Sequence, residues 1–599
     1  MTISPQSTLR QHLNYEPQEL QFGTSGRRGQ VIHLTQLEVF INAVAELEFL
    51  LSLPKADGGI VKGDTFFYAR DLRPSSSAYV PEQQGRGELA QTIEQAIIYA
   101  GLKPVNLGQI PTPALTCYAL SQGKGSIMVT GSHIPFDRNG YKTNTSKGEL
   151  LKQHEQSINE QVKQVRQRFY QQAFADSLFS ENGNFKSGST PLSQEHTAAA
   201  EIYRQRYLHF FGSTALSGLR LLAYQHSAVG RDMLVEILSD LGADVVPVGR
   251  SETFVPIDTE NMDAQQLAVI QQLVDQAVTT HGKFDAIVST DGDSDRPLIL
   301  GIDPQTAQVR FFGGDLVGML TAELLGADAV VVPISSNDGI DRGSLKDIVE
   351  PKTRIGSPFV ITGMEQALAR GKQAVCGWEA NGGFLTGSDI HWQGRVLTAL
   401  PTRDAVLPIL AVLYLAKRDA VTLADLFARL PKRYSRAGLI KQFPRMLGLE
   451  IVKRLSPTNE LIKTVIYSHV ITNEHEASRP LLLERGGVRR SSQGFTFLNA
   501  ANLEMSGTSE DSSELDAIKQ QLAQVFSDTA GFGDITRINY TDGVRIYFDN
   551  GDVAHIRPSG NADELRCYAV AASQQRADDI AAMAVAEPNG LLRQLASLG

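Results

Sequence analysis

The sequence predicts an α/β protein of several domains, followed by a C-terminal α+β domain. Short β-like runs alternate with helical segments through most of the chain, and three of these runs end in a polar or glycine-rich loop. The last part instead carries short alternating strands joined by tight turns. At about 100–200 residues per domain, the chain length corresponds to roughly three to five domains.

The first region alternates strand and helix signals. Residues 64–69 predict a strand, and residues 88–100 predict a helix because their apolar positions follow helical spacing up to Gly101. Residues 125–129 predict a second strand that runs into a polar loop. Residues 182–193 are rich in Gly, Ser and other polar residues and predict a linker.

Two further α/β regions follow the linker, without visible residue-level similarity to the first. Ligands bind outside the carboxyl ends of strands in parallel sheets, so the loops that follow these strands are candidate sites. Strands are predicted at residues 219–223, 245–248, 284–289, 329–333 and 373–377, and helices at 231–241 and 404–417, with the third region beginning near Gly313.

The C-terminal region predicts an antiparallel sheet with helices. Residues 535–540, 544–548 and 553–556 alternate in polarity, and the segments 541–543 and 550–551 supply turns between them. The polar residues before them predict a surface loop over 506–513.

Composition excludes several classes of protein. The net charge of −10 argues against a general nucleic-acid binder, although a local basic cluster can still bind phosphate. Cys117, Cys376 and Cys567 lie too far apart for a zinc motif or a disulfide framework, which favours a reducing cytoplasm. The first 21 residues lack a signal-peptide core, and the apolar run 405–416 is too short for a membrane span of about 20 residues, so we expect no membrane partner.

The segment 130–142, TGSHIPFDRNGYK, is the first chemical motif. Ser132 on a tight turn after a strand can present its hydroxyl to a ligand. His133 and Lys142 can stabilise phosphate charge or move protons. Taken alone, the segment also fits an ordinary polar turn.

The segment 291–296, DGDSDR, is the second motif. Asp291, Asp293 and Asp295 can converge on a hard cation such as Mg²⁺. An EF-hand loop would need Gly at position six and Glu at position twelve, where this sequence has Arg296 and Ile302. The alternative interpretation is a solvated acidic turn.

Two later loops carry groups suited to sugars and phosphates. Glu379 and Asn381, between glycines in GWEANGG, could hydrogen-bond vicinal hydroxyls, although the segment taken alone fits a plain turn slightly better. Arg557 begins the segment RPSGN and Arg566 follows it, and their guanidinium groups, with the hydroxyl and backbone N–H groups of the segment, suit a phosphate dianion. The alternative there is a solvated loop with a surface ion pair.

Two N-terminal stretches complete the set. The segment 22–29, FGTSGRRG, is glycine-rich and basic and predicts a phosphate cradle. The segment 70–75, RDLRPS, is basic, and we interpret it as structural.

Together these segments resemble the α-D-phosphohexomutase family, which includes phosphoglucomutase and phosphomannomutase. The resemblance covers residues 22–571 and rests on the order of the motifs. They are FGTSGRRG, YARDLRPSS, TGSHIPFDRNGYK, DGDSDR, GWEANGG and RPSGNADELRCY. The resemblance implies a four-domain, heart-shaped molecule, with three similar α/β domains and a C-terminal domain of another type. The domains are then expected at residues 1–190, 191–310, 311–432 and 433–599, with a hinge near 431–435.

The resemblance also implies site roles. Ser132 would be the phosphoserine, and the three aspartates would hold Mg²⁺, which would also touch the phosphate on Ser132. The other implied residues are Arg28, His133, Lys142 and Arg296 at the catalytic centre, Glu379 and Asn381 on the sugar loop, and Arg557, Ser559, Gly560 and Asn561 on the phosphate loop. Arg566 joins this set from its own chemistry, as a second guanidinium group after the loop.

The activity implied is interconversion of hexose 1-phosphate and hexose 6-phosphate, with mannose or glucose as the sugar. Phosphoserine would donate its phosphoryl group to the free hydroxyl, and a hexose 1,6-bisphosphate, which also serves as activator, would return the other phosphate. Positioning and charge neutralisation dominate such transfers, and the metal and basic residues would supply both. Partners are expected to be hexose phosphates, in a monomer or homodimer.

The sequence departs from the family pattern at several positions. Ile134 stands where the family usually has Asn, and Asn381 stands where it usually has Ser. Gly383 stands where some members have a His, a candidate general acid/base there, which leaves Lys142 and His133 as candidates. The phosphate loop usually reads SGTEP, whereas this chain has SGNAD.

Two alternative functions remain at this stage. A metal-dependent phosphatase would use an aspartyl nucleophile in the acidic loop, but that class needs Thr where Asp295 stands and leaves Ser132 unexplained. A non-catalytic sugar-phosphate binder would explain the missing loop His, but the intact Ser132 and acidic motif argue against it.

Overall fold

The structure is a computed structural model that describes residues 7–260, 262–468, 494–560 and 563–598. It divides into two compact units, and each is described by itself. Unit 1 comprises the described residues of Met1–Pro333, Gly343–Glu350 and Ile355–Leu430, and unit 2 comprises those of Ile334–Arg342, Pro351–Arg354 and Pro431–Gly599.

The first region of unit 1 is a mixed sheet with helices packed on it. Its elements are α1 Leu9–His12, β1 Gln21–Phe22, β2 Arg27–Gln30, α2 Gln36–Ser52, β3 Thr65–Arg70, β4 Tyr79–Val80, β5 Arg86–Gly87, α3 Leu89–Tyr99, β6 Lys103–Gln109, α4 Thr112–Ser121, β7 Ser126–Val129, β8 Arg138–Thr145, β9 Gly148–Glu149 and α5 Glu155–Tyr170. The strand order is β1-β2-β8-β7-β3-β6, with β9 beside β8. The apolar faces of α2, α3 and α5 bury one continuous core against β3 and β7, which holds the sheet in place.

The second region of unit 1 repeats the pattern. Its elements are α6 Ala198–Phe211, β10 Arg220–His226, α7 Arg231–Asp240, β11 Asp244–Arg250, α8 Ala264–His281, β12 Ala286–Thr290, β13 Pro297–Ile302 and β14 Val309–Phe311. The strand order is β11-β10-β12-β13-β14. All of β12 and β13 is buried, as expected for apolar strands covered on both faces.

The third region of unit 1 has a shorter sheet. Its elements are α9 Gly314–Leu325, β15 Ala329–Val331, α10 Ser357–Ala369, β16 Val375–Trp378, β17 Phe384–Thr386, β18 Ile390–Trp392, β19 Arg395–Leu397, β20 Leu400–Asp404, α11 Val406–Asp419 and α12 Leu423–Phe427. The strand order is β15-β16-β17-β20, and β18 pairs β19. The apolar run predicted as a buried helix is α11, most of whose side chains are buried.

The same connection recurs in all three regions. In each, a strand at the end of a parallel pair reverses through a loop into an antiparallel neighbour: β7 into β8, β12 into β13 and β16 into β17. The three loops are those of Ser132, Asp291 and Glu379. The repeat is therefore one of topology rather than of sequence, and it places each polar loop at the carboxyl end of a buried strand.

Unit 2 is built on an antiparallel sheet, as predicted. Its elements are β21 Tyr434–Lys441, α13 Arg445–Arg454, β22 Thr464–Ser468, β23 Gly494–Leu498, β24 Glu504–Met505, α14 Ser509–Val525, β25 Ile535–Asn539, β26 Val544–Phe548, β27 Val553–Pro558, β28 Glu564–Ala571, α15 Gln574–Val585 and α16 Leu591–Ser597. The described strand order is β21-β28-β27-β26-β25-β22-β23-β24. Helices α13 to α16 bury apolar side chains against this sheet.

One sequence prediction in unit 2 is wrong. The polar segment 506–513 is not wholly a surface loop, because α14 begins at Ser509. The Thr508 hydroxyl accepts the backbone N–H of Asp511 at 3.1 Å, and the Asp511 carboxylate accepts the backbone N–H of Thr508 at 2.7 Å. This capping box satisfies N–H groups of the first turn and starts a helix from a polar sequence.

The predicted linker, residues 182–193, lies along the first region. The Ser189 hydroxyl donates to Glu88 at 2.6 Å, and Asn106 donates to the Ser193 carbonyl at 2.7 Å. In the part of the chain that the structure describes, no helix combines the length and apolarity needed to cross a membrane.

Candidate active site

Ser132 lies at the tip of the loop between β7 and β8. It is buried, and its φ of +53° falls in the left-handed region that favours glycine. Its backbone N–H donates to the Thr130 hydroxyl at 2.7 Å, and its Oγ donates to Asp291 Oδ2 at 2.8 Å. Such a conformation costs about 1–3 kcal/mol in a non-glycine residue and persists only where the surroundings enforce it. The fold therefore aims the serine hydroxyl at the acidic loop.

The buried side chain of Arg73 fixes the shape of the serine loop. Its guanidinium donates to the backbone carbonyls of Ser132 at 2.9 Å, Pro135 at 2.8 Å and Arg138 at 2.9 Å. A Cβ on Gly131 would lie 2.4 Å from Arg73 Nε, so this contact requires glycine. The segment 70–75 is thus structural, as predicted, and its structural role is to shape the loop of Ser132.

The acidic loop joins β12 to β13, and its carboxylates point inward. Asp291 Oδ1 accepts the backbone N–H groups of Asp295 and Arg296 at 3.1 and 3.2 Å, and Asp293 Oδ2 accepts the Thr112 hydroxyl at 2.6 Å. Asp291, Asp293 and Asp295 are all buried, and one oxygen of each lies within 4.8 Å of the others. The solvated acidic turn is therefore not what the chain forms.

Burial and like charge make this loop electrostatically unusual. Burial, together with the neighbouring carboxylates of Asp293 and Asp295, raises the pKa of Asp291 well above its usual value. Burial also opposes ionisation of Asp293, but the Lys142 ammonium outweighs it and the pKa of Asp293 is lowered. The pKa of Asp295 is lowered in the same way, against its burial, chiefly by Arg403 and then by Lys142. Two negative charges are thus held beside a carboxyl group that resists ionisation.

In Asp293 and Asp295, one carboxylate oxygen accepts hydrogen bonds and the other accepts none from the described residues. Lys142 Nζ donates to the Oδ2 atoms of Asp293 at 2.7 Å and Asp295 at 2.6 Å. The Oδ1 atoms of both aspartates are buried and have no hydrogen-bond partner among the described residues. Buried oxygens without partners are expensive, and a hard cation with oxygen ligands would satisfy them. The three aspartates therefore fit a divalent metal site.

The remaining residues predicted for the catalytic centre lie around this cluster. His133 Nδ1 is 3.4 Å from Ser132 Oγ, and Arg296 Nε is 3.8 Å from Asp291 Oδ2. Lys142 lies on β8, the return strand of the serine hairpin, opposite Met128.

Arg28 lies on β2, which pairs with β8. It donates to the backbone carbonyls of Arg27 at 2.8 Å and Tyr141 at 3.2 Å. Burial lowers the pKa of Arg28 to about 10, so it remains a cation at neutral pH. The strand order β2-β8-β7 thus places Arg28, Lys142 and the serine loop on adjacent strands.

The sugar-loop residues join the acidic cluster through Arg403. Glu379 Oε2 accepts Arg403 Nη1 at 2.8 Å, and Arg403 Nη2 donates to Asp295 Oδ2 at 2.8 Å. The Asn381 carbonyl accepts the Thr259 hydroxyl at 2.9 Å, and its side-chain oxygen accepts the N–H of Gly383 at 3.0 Å. The segment is therefore an ordered, buried turn attached to the second region of unit 1.

The predicted phosphate loop lies in unit 2, after β27. Arg557 and Arg566 are directly opposite each other on β27 and β28, so both side chains lie on the same face of the sheet. Arg557 Nε donates to Asp542 at 3.1 Å, and Arg566 Nη2 donates to Glu564 at 2.8 Å. Two guanidinium groups, each paired with a carboxylate, thus lie in register beside the loop.

The loop itself begins at Ser559, which is buried. Its backbone N–H donates to the Glu564 carbonyl at 2.8 Å, which closes the turn. Gly560 ends the described part of the loop, and Asn561 lies outside the described residues.

Sequence reasoning missed Arg403 and Glu149. Arg403 is buried between two carboxylates, and Glu149 accepts the hydroxyls of Ser357 at 2.7 Å and Thr402 at 2.7 Å. A buried ion pair has no periodic signature, because its partners are distant in the chain. The one available signal was the pair of charges at 403–404, directly before the apolar run 405–416.

Comparison with known proteins agrees with this architecture. Family models described as phosphoglucomutase/phosphomannomutase, alpha/beta/alpha domains I, II and III match residues 19–169, 201–302 and 314–434, and the model of the C-terminal domain matches residues 504–587.

Two curated relatives cover nearly the whole chain. A phosphomannomutase of Sinorhizobium fredii is 36% identical over 95% of this chain and 98% of its own. A phosphomannomutase of Salmonella muenchen is 34% identical over 94% of each chain. A crystal structure of a phosphoglucomutase/phosphomannomutase family protein from Burkholderia thailandensis has the same fold, with a TM-score of 0.59 at 16% identity over 96% of this chain and 98% of that one.

The three α/β regions and the antiparallel C-terminal region, with an ordered serine loop and acidic loop, define a phosphosugar-mutase architecture. The chain belongs to the phosphoglucomutase/phosphomannomutase family. The resemblance inferred from the order of the motifs is therefore confirmed, as is the fold class of three α/β domains followed by a C-terminal α+β domain.

Proposed function

We propose that this chain is a hexose-phosphate mutase that interconverts hexose 1-phosphate and hexose 6-phosphate through a phosphorylated Ser132. The contact of 2.8 Å between Ser132 Oγ and Asp291 Oδ2, inside a buried cluster of three aspartates, carries the proposal. A serine hydroxyl beside a site for a divalent cation suits phosphoryl transfer, where charge neutralisation is the main requirement.

The transfer runs in two balanced halves. In the first, the bond between phosphorus and Ser132 Oγ breaks, a bond forms from phosphorus to the free sugar hydroxyl, and the hydroxyl proton passes to a base. The hexose 1,6-bisphosphate then reorients, and Ser132 Oγ takes the other phosphoryl group as the second sugar oxygen regains a proton. Added hexose 1,6-bisphosphate phosphorylates empty enzyme and so acts as activator.

The acidic loop supplies the metal ligands. Asp291, Asp293, Asp295 and the phosphate on Ser132 would hold Mg²⁺, which when bound neutralises charge on the phosphoryl group. Arg28 and Arg296 add positive charge on the same side of unit 1. The unsatisfied Oδ1 atoms of Asp293 and Asp295 support this assignment.

The proton is carried by Lys142 or His133. Gly383 has no side chain to offer, whereas Lys142 reaches the acidic cluster and His133 Nδ1 is 3.4 Å from Ser132 Oγ. Separate Lys142→Met and His133→Gln variants distinguish them, because loss of the proton carrier removes one limb of the pH–rate profile.

Substrate recognition falls to the two remaining loops. Glu379 and Asn381 contact the sugar hydroxyls, and Arg557, Ser559, Gly560, Asn561 and Arg566 hold the phosphate that is not reacting. The two guanidinium groups of Arg557 and Arg566, which lie in register beside this loop, support the assignment, because guanidinium groups hydrogen-bond phosphate oxygens strongly. The sugar is mannose or glucose, and the names of the two relatives, both phosphomannomutases, favour mannose.

The finer organisation is also part of the proposal. The domains span residues 1–190, 191–310, 311–432 and 433–599, and the chain acts on small hexose phosphates as a monomer or homodimer in the cytoplasm. Residues 431–435 are the proposed hinge.

A coupled turnover assay tests the function. Mannose 1-phosphate and glucose 1-phosphate are supplied in parallel with Mg²⁺ and a trace of hexose 1,6-bisphosphate. We expect formation of hexose 6-phosphate and a faster rate with mannose. Release of inorganic phosphate in its place would support a phosphatase, and binding without either product would support a non-catalytic binder.

A further inference from the structure

Arg403 connects two loops that the proposed function treats separately. It lies on β20, next to Asp404 at the end of the strand, and its side chain is 4% exposed. Nε and Nη2 donate to Asp295 Oδ2 at 3.1 and 2.8 Å, and Nη1 donates to Glu379 Oε2 at 2.8 Å. One planar guanidinium thus holds a carboxylate of the acidic loop and a carboxylate of the sugar loop.

These contacts determine which oxygen of Asp295 is available. Lys142 and Arg403 both donate to Oδ2, and Oδ1 is left buried without a hydrogen-bond partner among the described residues. If the Arg403 side chain were removed, Asp295 Oδ2 would lose two of the donors that orient the carboxylate and, among the described donors, would keep only Lys142. Glu379 would lose its charged partner at the same time.

The space that Arg403 occupies lies directly over Gly383. An ideal Cβ on residue 383 would be 2.6 Å from Arg403 Cδ and 2.8 Å from Arg403 Cγ. Real Cβ atoms do not approach other carbons so closely, so any side chain at position 383 displaces Arg403. Glycine at 383 and arginine at 403 are therefore sterically linked.

A second set of hydrogen bonds, through Ser357 and Glu149, also holds the Arg403 side chain in place. Nη1 also donates to the Ser357 hydroxyl at 3.3 Å, and Ser357 and the neighbouring Thr402 both donate to Glu149. Glu149 also accepts the Ser25 hydroxyl, at 3.3 Å, from the glycine-rich N-terminal loop. The guanidinium is therefore held on several sides, as a preorganised group must be.

We propose that Arg403 is a positioning residue that sets the acidic loop and the sugar loop relative to each other, and that Gly383 is required because Arg403 fills the space above it. The inference rests on the proposed function for the contact of Glu379 with the sugar and for the part of Asp295 in the chemical step. Arg403 acts through Glu379 on sugar binding and through Asp295 on the chemical step. A lysine cannot replace it, because a single ammonium does not present the planar fork that reaches both carboxylates.

The first test is a double-variant cycle of Arg403→Lys with Glu379→Gln. Binding of mannose 1-phosphate and glucose 1-phosphate is measured by calorimetry in a Ser132→Ala background. Each single variant is expected to weaken binding of the preferred sugar about tenfold, the loss typical of one charge-assisted hydrogen bond. The double variant is expected to bind no more weakly than the worse single variant, because Arg403 acts through Glu379. Losses that multiply would overturn the proposal.

Turnover in the Ser132 protein supplies the second readout. Arg403→Lys is expected to raise KM and to lower kcat at least tenfold, whereas Glu379→Gln mainly raises KM. A variant with only a structural defect would lower the fraction of active protein. Its apparent kcat would fall, but its KM would stay at the wild-type value. The wild type could bind hexose phosphate, and the double-variant cycle could give the expected result, while no substrate is turned over. In that case the proposed reaction fails, and the role of Arg403 in positioning Glu379 stands.

Gly383→Ala tests the steric half of the inference. It is expected to reproduce the Arg403→Lys defect in binding, and to add nothing further in an Arg403→Gly background, where the Cβ of residue 403, 2.9 Å from the added methyl group, is also absent. Gly313→Ala is the matched control, because a Cβ there meets nothing within 4 Å, and we expect its binding within about twofold of wild type. Wild-type binding by Gly383→Ala would overturn the proposal, and circular dichroism with thermal melting confirms that each variant is folded.

Discussion

Ser132 and the three aspartates show that a candidate site can be predicted from the sequence when its residues are close together in the chain. Each motif is a contiguous segment, so its side chains cannot be far apart, and both loops were predicted from the sequence. Arg403 and Glu149 were not, because their partners are more than 20 residues away, and the charged pair 403–404 before an apolar run does not indicate which residues it contacts. Gly383 became interpretable only once the Arg403 side chain was seen above it.

At the residue scale, replacement of Asp291 by Asn separates folding from metal binding. Burial and neighbouring carboxylates already raise the pKa of Asp291, so a neutral isostere is expected to change the metal-free stability by less than about 1 kcal/mol. The wild type is expected to gain about 3 kcal/mol at Mg²⁺ a hundredfold above its dissociation constant, and Asp291→Asn is expected to gain nothing. Thermal melting with Mg²⁺ or with a chelator measures both.

The control for this prediction is Asp347→Asn, since Asp347 is an exposed carboxylate of unit 1. It should keep the full Mg²⁺ response. A Mg²⁺ response in Asp291→Asn equal to that of the wild type would remove Asp291 from the metal site.

At the element scale, each predicted strand and helix named above overlaps an observed one, because apolar runs and helical spacing are strong local signals. Residues 64–69 overlap β3, for example, and residues 231–241 overlap α7. The start of α14 was missed because its first turn is polar, although Thr508 and Asp511 carry the spacing of a capping box. The hairpin that returns Lys142 beside Ser132 also could not be inferred, since pairing depends on contacts across the sheet.

The opposed strands β27 and β28 yield an element-scale prediction. Replacement of Arg566 by Gln removes one of two guanidinium groups that face the same side of the sheet. We expect KM for hexose 1-phosphate to rise at least tenfold with kcat changed less than about threefold, because in the proposed function Arg566 binds the phosphate that is not reacting. Steady-state kinetics measure both constants.

Arg593→Gln is a suitable comparison, since Arg593 pairs with Glu587 on the surface of unit 2 at 2.7 Å. Wild-type kinetics are expected for it. An Arg566→Gln enzyme with unchanged KM would exclude Arg566 from phosphate binding.

At the scale of the whole molecule, the sequence predicted the number and type of domains. It did not predict that in each α/β region a strand of a parallel pair turns back into an antiparallel neighbour. The same strand–loop–strand reversal in three sheets has no counterpart in residue identity, because buried strands tolerate many apolar sequences. Whether residues 431–435 act as a hinge stays a prediction, and one of the boundaries between the two units falls between Leu430 and Pro431.

Acid sensitivity of unit 2 is a further prediction. His555 Nε2 donates to the Asp542 carbonyl at 2.6 Å, and its buried Nδ1 has no partner among the described residues. Burial and then Arg545 lower the pKa of His555 to about 3, below the value near 6.5 of an unfolded histidine. The unfolded chain therefore binds the proton first, and stability present above about pH 6.5 is lost as the pH falls toward 3.

By about pH 4.5 this group alone is expected to remove roughly 2–3 kcal/mol of stability. Urea unfolding of unit 2 at successive pH values measures the loss, and His555→Gln is expected to reduce its slope. His391→Gln, at an exposed histidine, should keep the wild-type slope. Equal slopes in all three proteins would contradict the prediction.

The most direct test of the central claim is to trap the phosphoryl group on the enzyme. The protein is incubated with Mg²⁺ and hexose 1,6-bisphosphate carrying labelled phosphorus, denatured in acid, digested and sequenced by mass spectrometry. We predict one acid-stable labelled phosphate, on Ser132, whose label is exchanged for unlabelled phosphate when excess hexose 1-phosphate is added and is absent from Ser132→Ala. A label on Asp291 or Asp293, or a Ser132 that takes none while the protein still turns over hexose phosphate, would contradict the account.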